Sequence, residues 1–585
     1  MFLAWFLLNG IDVLAVQMVS KNSMNKCCLN DLTKEKITRN TQKLIMAKTA
    51  KNILSLSHKE ALDFLMTSDQ YHGFELPEYF DFTTVLKFVR DKVGNRPYDK
   101  CIIADASEFE KVNFDILLNK DGKYAVRPLV LCNPYLYYFL AREICEEDNW
   151  ASIKECFRLF EVPHITACAI PVIPKRKEDF HHSTTILNWW NQMEQRSVEL
   201  SLEYRYMFVT DITNCYGSVN PQTIDWALSR KGTLLATEGN HGLAQNIIRL
   251  LRDLQQGRNI GIPQGSTLFD LTGEIILGYA DLLLHEALER KGYVDGYEII
   301  RYRDDYRVFC NDKAMLEEIS YILQHVLESL NFRMNSVKTK ISESIVTDSI
   351  KSDKLGYIYN TPIFNKKGCD FDGLQKHLLY ILLFGRQYPN SGQLPIMLSD
   401  FDKRVIERLE PHKKKVLRVP LSFDGDKINV ESAKEDEVEV PGKIYENIRA
   451  MSAICVQIAI ENIHYAHYAL RIASRMIDSI EDNDEKWDII AKMSDRLLSL
   501  HNNVYNQLWL QNITYQRDRR FGQLPYDADL CGIVMGKDQQ LWNIDWLKPE
   551  LAEAFPKFSI IDKETLAKVT PIITFKETRA YLEDY

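Results

Sequence analysis

Residues 297–310 constrain the fold of this chain more than any other stretch. They read Tyr-Glu-Ile-Ile-Arg-Tyr-Arg-Asp-Asp-Tyr-Arg-Val-Phe-Cys, so two arms rich in β-branched and aromatic residues flank Arg303, Asp304 and Asp305. This pattern predicts a β-hairpin whose turn carries two adjacent carboxylates. Asp is also a common turn residue for structural reasons, because its side chain bonds the neighbouring main chain. The pair therefore indicates function only together with the residues that precede and follow it.

A third carboxylate, Asp211, is predicted to lie close to this turn. Residues 206–210 read Tyr-Met-Phe-Val-Thr, which predicts a buried strand that delivers Asp211 at its end. Nucleotidyl transfer uses two divalent ions, about 3.5–4 Å apart, to hold the attacking and leaving oxygens. Such ions prefer carboxylate ligands on a fixed backbone. If the two strands are neighbours, the three carboxylates form a candidate site for two Mg²⁺ ions, with Mn²⁺ as the alternative.

Five short motifs resemble, in order and spacing, those of reverse transcriptases. They are residues 210–216 (Thr-Asp-Ile-Thr-Asn-Cys-Tyr) for motif A, 262–266 (Ile-Pro-Gln-Gly-Ser) for motif B, 302–305 (Tyr-Arg-Asp-Asp) for motif C, 335–339 (Asn-Ser-Val-Lys-Thr) for motif D and 355–357 (Leu-Gly-Tyr) for motif E. The resemblance implies an α+β, right-hand polymerase fold with fingers and palm. It also implies activity as an RNA-directed DNA polymerase.

The resemblance assigns the catalytic roles by position. Asp211, Asp304 and Asp305 would hold the metal ions, with Asp211 and Asp304 as the direct ligands. Ile212 would contribute its main-chain carbonyl to the ions. Lys338 would supply a proton or positive charge to the leaving pyrophosphate, as a general acid does.

The same resemblance assigns a second set of residues to the nucleotide. Tyr216 would lie under the sugar and exclude a 2′-hydroxyl, which implies deoxynucleoside triphosphates as substrates and DNA as product. Gln264 and Gly265 would border the incoming base and the template. Lys175 and Arg176 follow a predicted strand and are candidates for the triphosphate, although a run of cations is often only a solvated loop.

Arg303 departs from the small residue that is commoner at this place in motif C. A cation beside the acidic turn would lie where the primer or nascent strand runs, and Arg suits contact with phosphate. The alternative is an Arg that pairs with an acidic neighbour and has a structural role.

A narrower resemblance connects the chain to the abortive-infection and other "unknown group" bacterial reverse transcriptases. It is carried by Arg127-Pro128, Asn133-Pro134 with Tyr137, Asn149-Trp150, residues 218–220 followed by 226–228 (Trp-Ala-Leu), Glu274 and residues 302–309. That branch implies antiphage defence, a helical C-terminal domain and, in some members, protein-primed DNA synthesis without a conventional template. The candidate priming residues are Tyr465, Tyr468, Tyr505 and Tyr515.

Two other functions remain open at this point. The chain is also compatible with a retron-type or intron-type enzyme that copies a dedicated RNA. A non-catalytic nucleic-acid-binding or assembly protein belongs to a different class, and it has no chemical need for all three carboxylates. Non-coding RNA, partner defence proteins and a second copy of the chain are the macromolecular partners considered.

Length and charge limit the organisation of the chain. At 585 residues, two to four domains are expected. We predict an N-terminal helical extension over 1–95, fingers over 96–200, palm over 201–372, thumb-like helices with a charged linker over 373–442, and an α-helical C-terminal domain over 443–585. The net charge of −9 predicts that nucleic acid binds in a local basic groove rather than over the whole surface.

The cysteines and the N-terminal residues indicate in which cellular compartment the protein is expected. The 12 Cys include no C-x-x-C pair, which favours free thiols in a reducing cytoplasm. Residues 1–16 are apolar but interrupted by polar residues and lack a cationic start, so neither a signal peptide nor a membrane helix is expected.

We also predict strands over 99–107, 166–173 and 355–358 and a polar loop over 424–442.

Overall fold

Helices and short β-sheets are mixed in this protein, which agrees with the predicted α+β class. The computed structural model describes residues 51–119, 126–173, 190–229, 238–364, 373–418, 421–424, 427–430, 434–440, 442–445, 447–516, 526–553, 555 and 560–578. The strands are β1 (Phe114–Asn119), β2 (Val126–Leu131), β3 (Ile165–Ala167), β4 (Tyr206–Asp211), β5 (Tyr297–Tyr302), β6 (Asp305–Cys310), β7 (Lys340–Ser342), β8 (His412–Arg418), β9 (Leu421–Asp424), β10 (Lys427–Val430) and β11 (Lys434–Val440).

The helices fall into two runs along the chain. Those before residue 365 are α1 (His58–Leu65), α2 (Ser68–Tyr71), α3 (Thr83–Val93), α4 (Tyr98–Cys101), α5 (Pro134–Ile144), α6 (Glu147–Phe160), α7 (Arg196–Leu200), α8 (Cys215–Ser218), α9 (Gln222–Leu228), α10 (Glu238–Leu254), α11 (Thr267–Arg290), α12 (Lys313–Ser329), α13 (Ile345–Asp348) and α14 (Ser352–Phe364). Those after it are α15 (Leu374–Gln387), α16 (Leu394–Leu409), α17 (Ile448–Glu461), α18 (Ala466–Asp478), α19 (Asn483–Leu498), α20 (Val504–Thr514), α21 (Asp529–Val534), α22 (Pro549–Ala552) and α23 (Lys563–Lys568).

The central sheet has five strands in the order β3-β5-β6-β4-β7. Strand β3 runs parallel to β5, and the other neighbours are antiparallel. The predicted hairpin is confirmed, since β5 and β6 pair directly and Tyr302 lies opposite Asp305. Arg303 enters the turn with a φ of 52°, in the left-handed region that a side chain other than glycine rarely adopts. Both arms are largely buried, so the sheet presents the acidic turn at one edge of its core.

Helix α11 packs beside this sheet and is buried on nearly every side. Its first turn is capped by the Ser266 hydroxyl, which accepts the N–H of Phe269 at 3.4 Å. Gly278 permits close packing, because a Cβ there would lie 2.4 Å from the ring of Phe160. A helix that is apolar all round belongs in a core. The carboxylates that α11 carries are therefore held at fixed positions.

Residues of the C-terminal third contact residues near the beginning of the described chain. The Trp542 indole N–H donates to the carbonyl of Leu131 at 3.0 Å. Isolated bridges join Ile102 to Leu547 and Phe80 to Ile561. Residues 51–585 form one compact unit, within which the boundaries at 95, 200, 372 and 442 remain predictions. In the ranges given above, no helix is both long and apolar enough to cross a bilayer.

Four local predictions were wrong or too long. Residues 355–358 lie in helix α14 rather than in a strand, with Gly356 packed against the ring of Tyr388. Residues 99–107 form the end of α4 and a 3₁₀ turn, and the strand predicted over 166–173 is limited to β3. The polar loop predicted over 424–442 contains β10 and β11, which pair with β9 and β8. The reason is that pairing between distant segments decides strands, whereas local charge was the basis of the prediction.

Candidate active site

Asp211, Asp304 and Asp305 converge at one edge of the central sheet. Strands β4 and β6 are antiparallel neighbours, and Asp211 lies directly opposite Asp305 in their register. Residues that face each other in this way have Cα atoms about 4.5–5.5 Å apart. The main-chain N–H of Ile212 donates to the carbonyl of Asp304 at 3.0 Å, which joins the end of β4 to the hairpin turn. The predicted proximity of the two strands is therefore observed.

Lys338 reaches the same carboxylates from a polar turn. The N–H of Asn335 donates to the carbonyl of Asp211 at 2.9 Å, and the hydroxyls of Thr210 and Thr339 are 2.7 Å apart. These bonds fix residues 335–339 against the end of β4. The Lys338 Nζ donates to Asp211 Oδ2 and forms an ion pair with it. The structure thus brings together four residues that the sequence assigned to catalysis.

Burial and mutual repulsion raise the pKa values of the turn carboxylates. Burial is the main cause of the raised pKa of Asp304, and Asp211 adds repulsion. Burial, then the charges of Asp304 and Asp211, raise the pKa of Asp305 to about 6. Burial favours the neutral amine of Lys338, but the hydrogen bond to Asp211 and the three negative charges raise its pKa. The group as a whole carries more negative charge than Lys338 compensates.

These residues fit divalent cations by their chemistry. Asp211 Oδ1 is buried and, among the described residues, has no hydrogen-bond partner. A buried carboxylate oxygen without a partner is costly unless a cation binds it. As the side chains stand, no three His, Cys, Asp or Glu of the described ranges are close enough to hold one ion. Lys338 takes one oxygen of Asp211, so an ion that binds there must displace the amine.

Tyr216 and Arg303 meet at a residue that the sequence did not single out, Asp270. The Tyr216 hydroxyl donates to Asp270 Oδ1 at 2.6 Å, and Arg303 Nη2 donates to Asp270 Oδ2 at 2.7 Å. Burial and the adjacent carboxylate raise the pKa of Tyr216, so its hydroxyl stays protonated and donates. Arg303 is thus in the pairing with an acidic neighbour that was weighed as its alternative. A contact with the nascent strand stays a prediction.

A buried ion cluster joins α11 to the β5–β6 hairpin. Arg301 is fully buried on β5 and donates to both oxygens of Glu274, at 3.1 and 3.0 Å, and to Asp281 at 2.8 Å. The Tyr306 hydroxyl donates to the second oxygen of Asp281 at 3.1 Å. The available signal was three acidic residues, Asp270, Glu274 and Asp281, at helical spacing in the mainly apolar part of the helix. Sequence reasoning used Glu274 only as part of a family resemblance.

The loop with Gln264 and Gly265 is held in place by hydrogen bonds that its main-chain carbonyls accept. The N–H of Val130 donates to the carbonyl of Gln264 at 2.8 Å, and the N–H of Gly73 donates to that of Gly265 at 2.7 Å. Gly265 has a φ of 119°, and a Cβ there would lie 3.3 Å from the Val130 carbonyl, so glycine is required. The loop therefore lies against β2.

The two triphosphate candidates, Lys175 and Arg176, lie outside the described residues. Their assignment stays a prediction. Ile212 lies next to the acidic turn with its side chain buried. Its main-chain carbonyl stays a predicted ligand.

Comparisons with known proteins give only distant structural similarity. Neither a protein-family model nor a curated protein matches the chain. A telomerase from Candida albicans, solved with a TWJ fragment of telomeric RNA, is 10% identical with a TM-score of 0.28, over 73% of this chain and 70% of that one. An apo telomerase from Candida tropicalis is 11% identical with a TM-score of 0.28, over 70% of this chain and 74% of that one. At these values the site geometry carries the functional conclusion.

Proposed function

We propose that this chain is a DNA polymerase of the reverse-transcriptase type. The observation that supports this best is the register of β4 and β6, which places Asp211 opposite Asp305 and beside Asp304. Lys338 joins them through Asp211. Four residues from three distant segments, at the positions that the motifs assign, provide a strong chemical reason for nucleotidyl transfer. A non-catalytic binding protein would gain nothing from burying these like charges together.

The residues divide the reaction between them. When bound at Asp211, Asp304 and Asp305, two Mg²⁺ or Mn²⁺ ions supply Lewis-acid stabilisation of the attacking and leaving oxygens. These three carboxylates would hold the ions at the end of β4 and at the hairpin turn. Lys338, once it leaves Asp211, is placed to give its proton or charge to the pyrophosphate. Tyr216 selects the deoxyribose by occupying the space of a 2′-hydroxyl.

Incorporation of labelled deoxynucleotides tests this proposal. Purified protein should be assayed with Mg²⁺ or Mn²⁺, with an RNA template, with a DNA template and with no template. Incorporation by the wild type under at least one condition, and its loss in Asp304→Asn, is the expected result. Equal incorporation by the two proteins would reject the assignment, because a contaminating polymerase would then account for the signal.

We further propose that the enzyme acts in antiphage defence in the bacterial cytoplasm. The narrower sequence resemblance supports this, and so does a chain that carries many helices after residue 373. A non-coding RNA, partner defence proteins and self-association are the candidate interactions. Phage plating on cells that express wild type or Asp304→Asn tests it. Protection that persists in Asp304→Asn would separate defence from polymerisation.

Protein priming is the last part of the proposal. A tyrosine hydroxyl would replace the 3′-hydroxyl as nucleophile, forming a phosphodiester to the protein and releasing pyrophosphate. Of the four candidates, Tyr468 and Tyr505 are buried, and the Tyr505 hydroxyl is 3.1 Å from His467 Nδ1. Tyr465 and Tyr515 are half-buried and are the better candidates.

The priming test resolves the reaction on a denaturing gel. Label that migrates with the protein, withstands heat and detergent, and is released by protease supports priming by the chain. Tyr465→Phe and Tyr515→Phe should be compared with Tyr505→Phe as the buried control. Label found only in free DNA would reject protein priming and leave the polymerase assignment intact.

A further inference from the structure

We infer that Asp270 is a positioning residue that sets sugar selectivity by holding Tyr216 and Arg303 in one network. The inference rests on the proposed polymerase function and adds a residue to it. Asp270 lies in the first turns of α11, and both of its carboxylate oxygens are used. Oδ1 accepts from the Tyr216 hydroxyl at 2.6 Å and Oδ2 accepts from Arg303 Nη2 at 2.7 Å.

Tyr216 is held at three points by α11 and the loop that precedes it. Its carbonyl accepts the N–H of Ile262 at 2.8 Å, which fixes the backbone. Its ring lies beside Gly273, where an added Cβ would be 3.7 Å from Cε1. Its hydroxyl is bound by Asp270. Hydrogen bonds to a charged acceptor are about twice as strong as neutral ones, so the hydroxyl bond is the strongest of these restraints on the ring.

Arg303 connects the Tyr216 ring to the turn that carries Asp304 and Asp305. It immediately precedes Asp304, and its carbonyl accepts from Arg301 Nη1 at 3.3 Å. Asp270 and Glu274 are one helical turn apart, and they hold Arg303 and Arg301 respectively. One face of α11 therefore fixes both the turn that carries the reactive carboxylates and the ring that borders the sugar. A change at Asp270 removes the strongest restraint on the ring, whereas the turn keeps the Arg301–Glu274 pair.

The network also explains why motif C tolerates a large cation here. An Arg in the turn, at positive φ, would be costly if its charge were half-buried without a partner. The side chain of Arg303 is 34% exposed and that of Asp270 is 20% exposed, so the pair lies at the border of the core. Asp270 supplies the charge that Arg303 requires.

The expected effect is a loss of discrimination rather than a loss of turnover. With Asp270→Ala, the ratio of kcat/KM for a deoxynucleotide to kcat/KM for the matching ribonucleotide should fall about tenfold, the size of one charged hydrogen bond. Tyr216→Phe removes the hydroxyl and keeps the ring, so its ratio should fall by a similar factor. If Asp270 acts through that hydroxyl, the double variant should lose no more than either single variant.

A double-mutant cycle with a matched control tests whether Asp270 acts through the Tyr216 hydroxyl. The proteins are wild type, Asp270→Ala, Tyr216→Phe, the double variant and Asp63→Ala, which breaks the exposed Asp63–Arg90 pair and should leave the ratio unchanged. If Asp270→Ala does not fold, as judged by circular dichroism, Asp270→Leu replaces it in the same cycle. The Leu side chain fills a similar volume and accepts no hydrogen bond from Tyr216.

Three results would overturn the inference. Additive effects in the cycle would show that Asp270 does not act through the Tyr216 hydroxyl. An equal loss of incorporation for both sugars would leave only a structural role. Absence of any incorporation by the wild type would overturn the proposed function itself, and the inference with it, and this outcome is distinct from the other two.

Discussion

Two groups of three carboxylates lie near the turn of the β5–β6 hairpin, and their surroundings differ. Asp211, Asp304 and Asp305, which we propose as metal ligands, are called the metal-side group, and Asp270, Glu274 and Asp281 on α11 are called the helix-side group. All six oxygens of the helix-side group accept hydrogen bonds from protein side chains. In the metal-side group, Lys338 pairs with one oxygen of Asp211, and the other is buried without a partner among the described residues.

The difference separates carboxylates whose charge is neutralised within the protein from carboxylates whose charge is not. Arg301 and Arg303 neutralise most of the helix-side charge, so that group stabilises the hairpin. The metal-side carboxylates are held together by β4 and β6 although they repel one another. Such a cost is typical of sites whose groups are arranged for chemistry rather than for stability.

Removing a metal-side carboxylate should have the largest effect. Asp304→Ala or Asp211→Ala should lower nucleotide incorporation by several powers of ten, because the proposed two-metal site would lose a ligand. Single-turnover incorporation measures this, and circular dichroism establishes that the variants fold. Activity like that of the wild type in either variant would mean that the metal-side group is not the active site.

Breaking the Glu274–Arg301 pair of the helix-side group should instead destabilise the protein. Glu274→Gln removes one charge from a buried pair with Arg301, which is 0% exposed, and should lower the free energy of unfolding by about 3 kcal/mol. The control is Glu461→Gln, which breaks an exposed pair with Arg386 and should cost less than about 1 kcal/mol. Urea unfolding compares the two. Equal losses would remove the distinction between buried and exposed pairs.

The next prediction concerns the Tyr216 ring, whose hydroxyl is bound by Asp270 of the helix-side group. Tyr216→Ala opens the space at the sugar, so discrimination against ribonucleotides should fall on the order of tenfold to hundredfold. Parallel kcat/KM measurements with both sugars give this ratio. A wild type that uses both sugars equally would show that Tyr216 excludes nothing.

The smallest expected effect is the pH dependence of stability that Asp305 causes. The pKa of Asp305 is raised from 3.8 to about 6, so the folded protein binds this proton more tightly than the unfolded chain does. Stability contributed by the protonated carboxyl is therefore lost as the pH rises from 3.8 toward 6. In chelator-treated protein above pH 7, Asp305→Asn should be more stable than wild type by on the order of 1 kcal/mol.

The advantage of Asp305→Asn should vanish near pH 4, where the wild-type carboxyl is protonated. Thermal unfolding at both pH values measures it. A destabilised variant above pH 7 would place Asp305 with the helix-side group, as a residue that stabilises the fold.

The sequence by itself determined the features that depend on neighbouring residues. The hairpin over 297–310 and the strand that ends at Asp211 follow from alternation and turn chemistry within a few positions. The positions of Asp304, Asp305 and Lys338 follow from short motifs that resemble those of one family. These are local patterns, and the observed β4–β6 register agrees with them.

Only the tertiary structure decided how the charges are paired. Arg303 and Asp270 are 33 residues apart, Arg301 and Glu274 are 27 apart, and Lys338 and Asp211 are 127 apart. The helix over 352–364 and the strands β10 and β11 were likewise missed. Hydrogen bonds and ion pairs depend on distances in space, which arise when α11 packs beside the hairpin. A sequence pattern marks a carboxylate as present, but the packing of distant elements determines whether it is neutralised or left for a ligand.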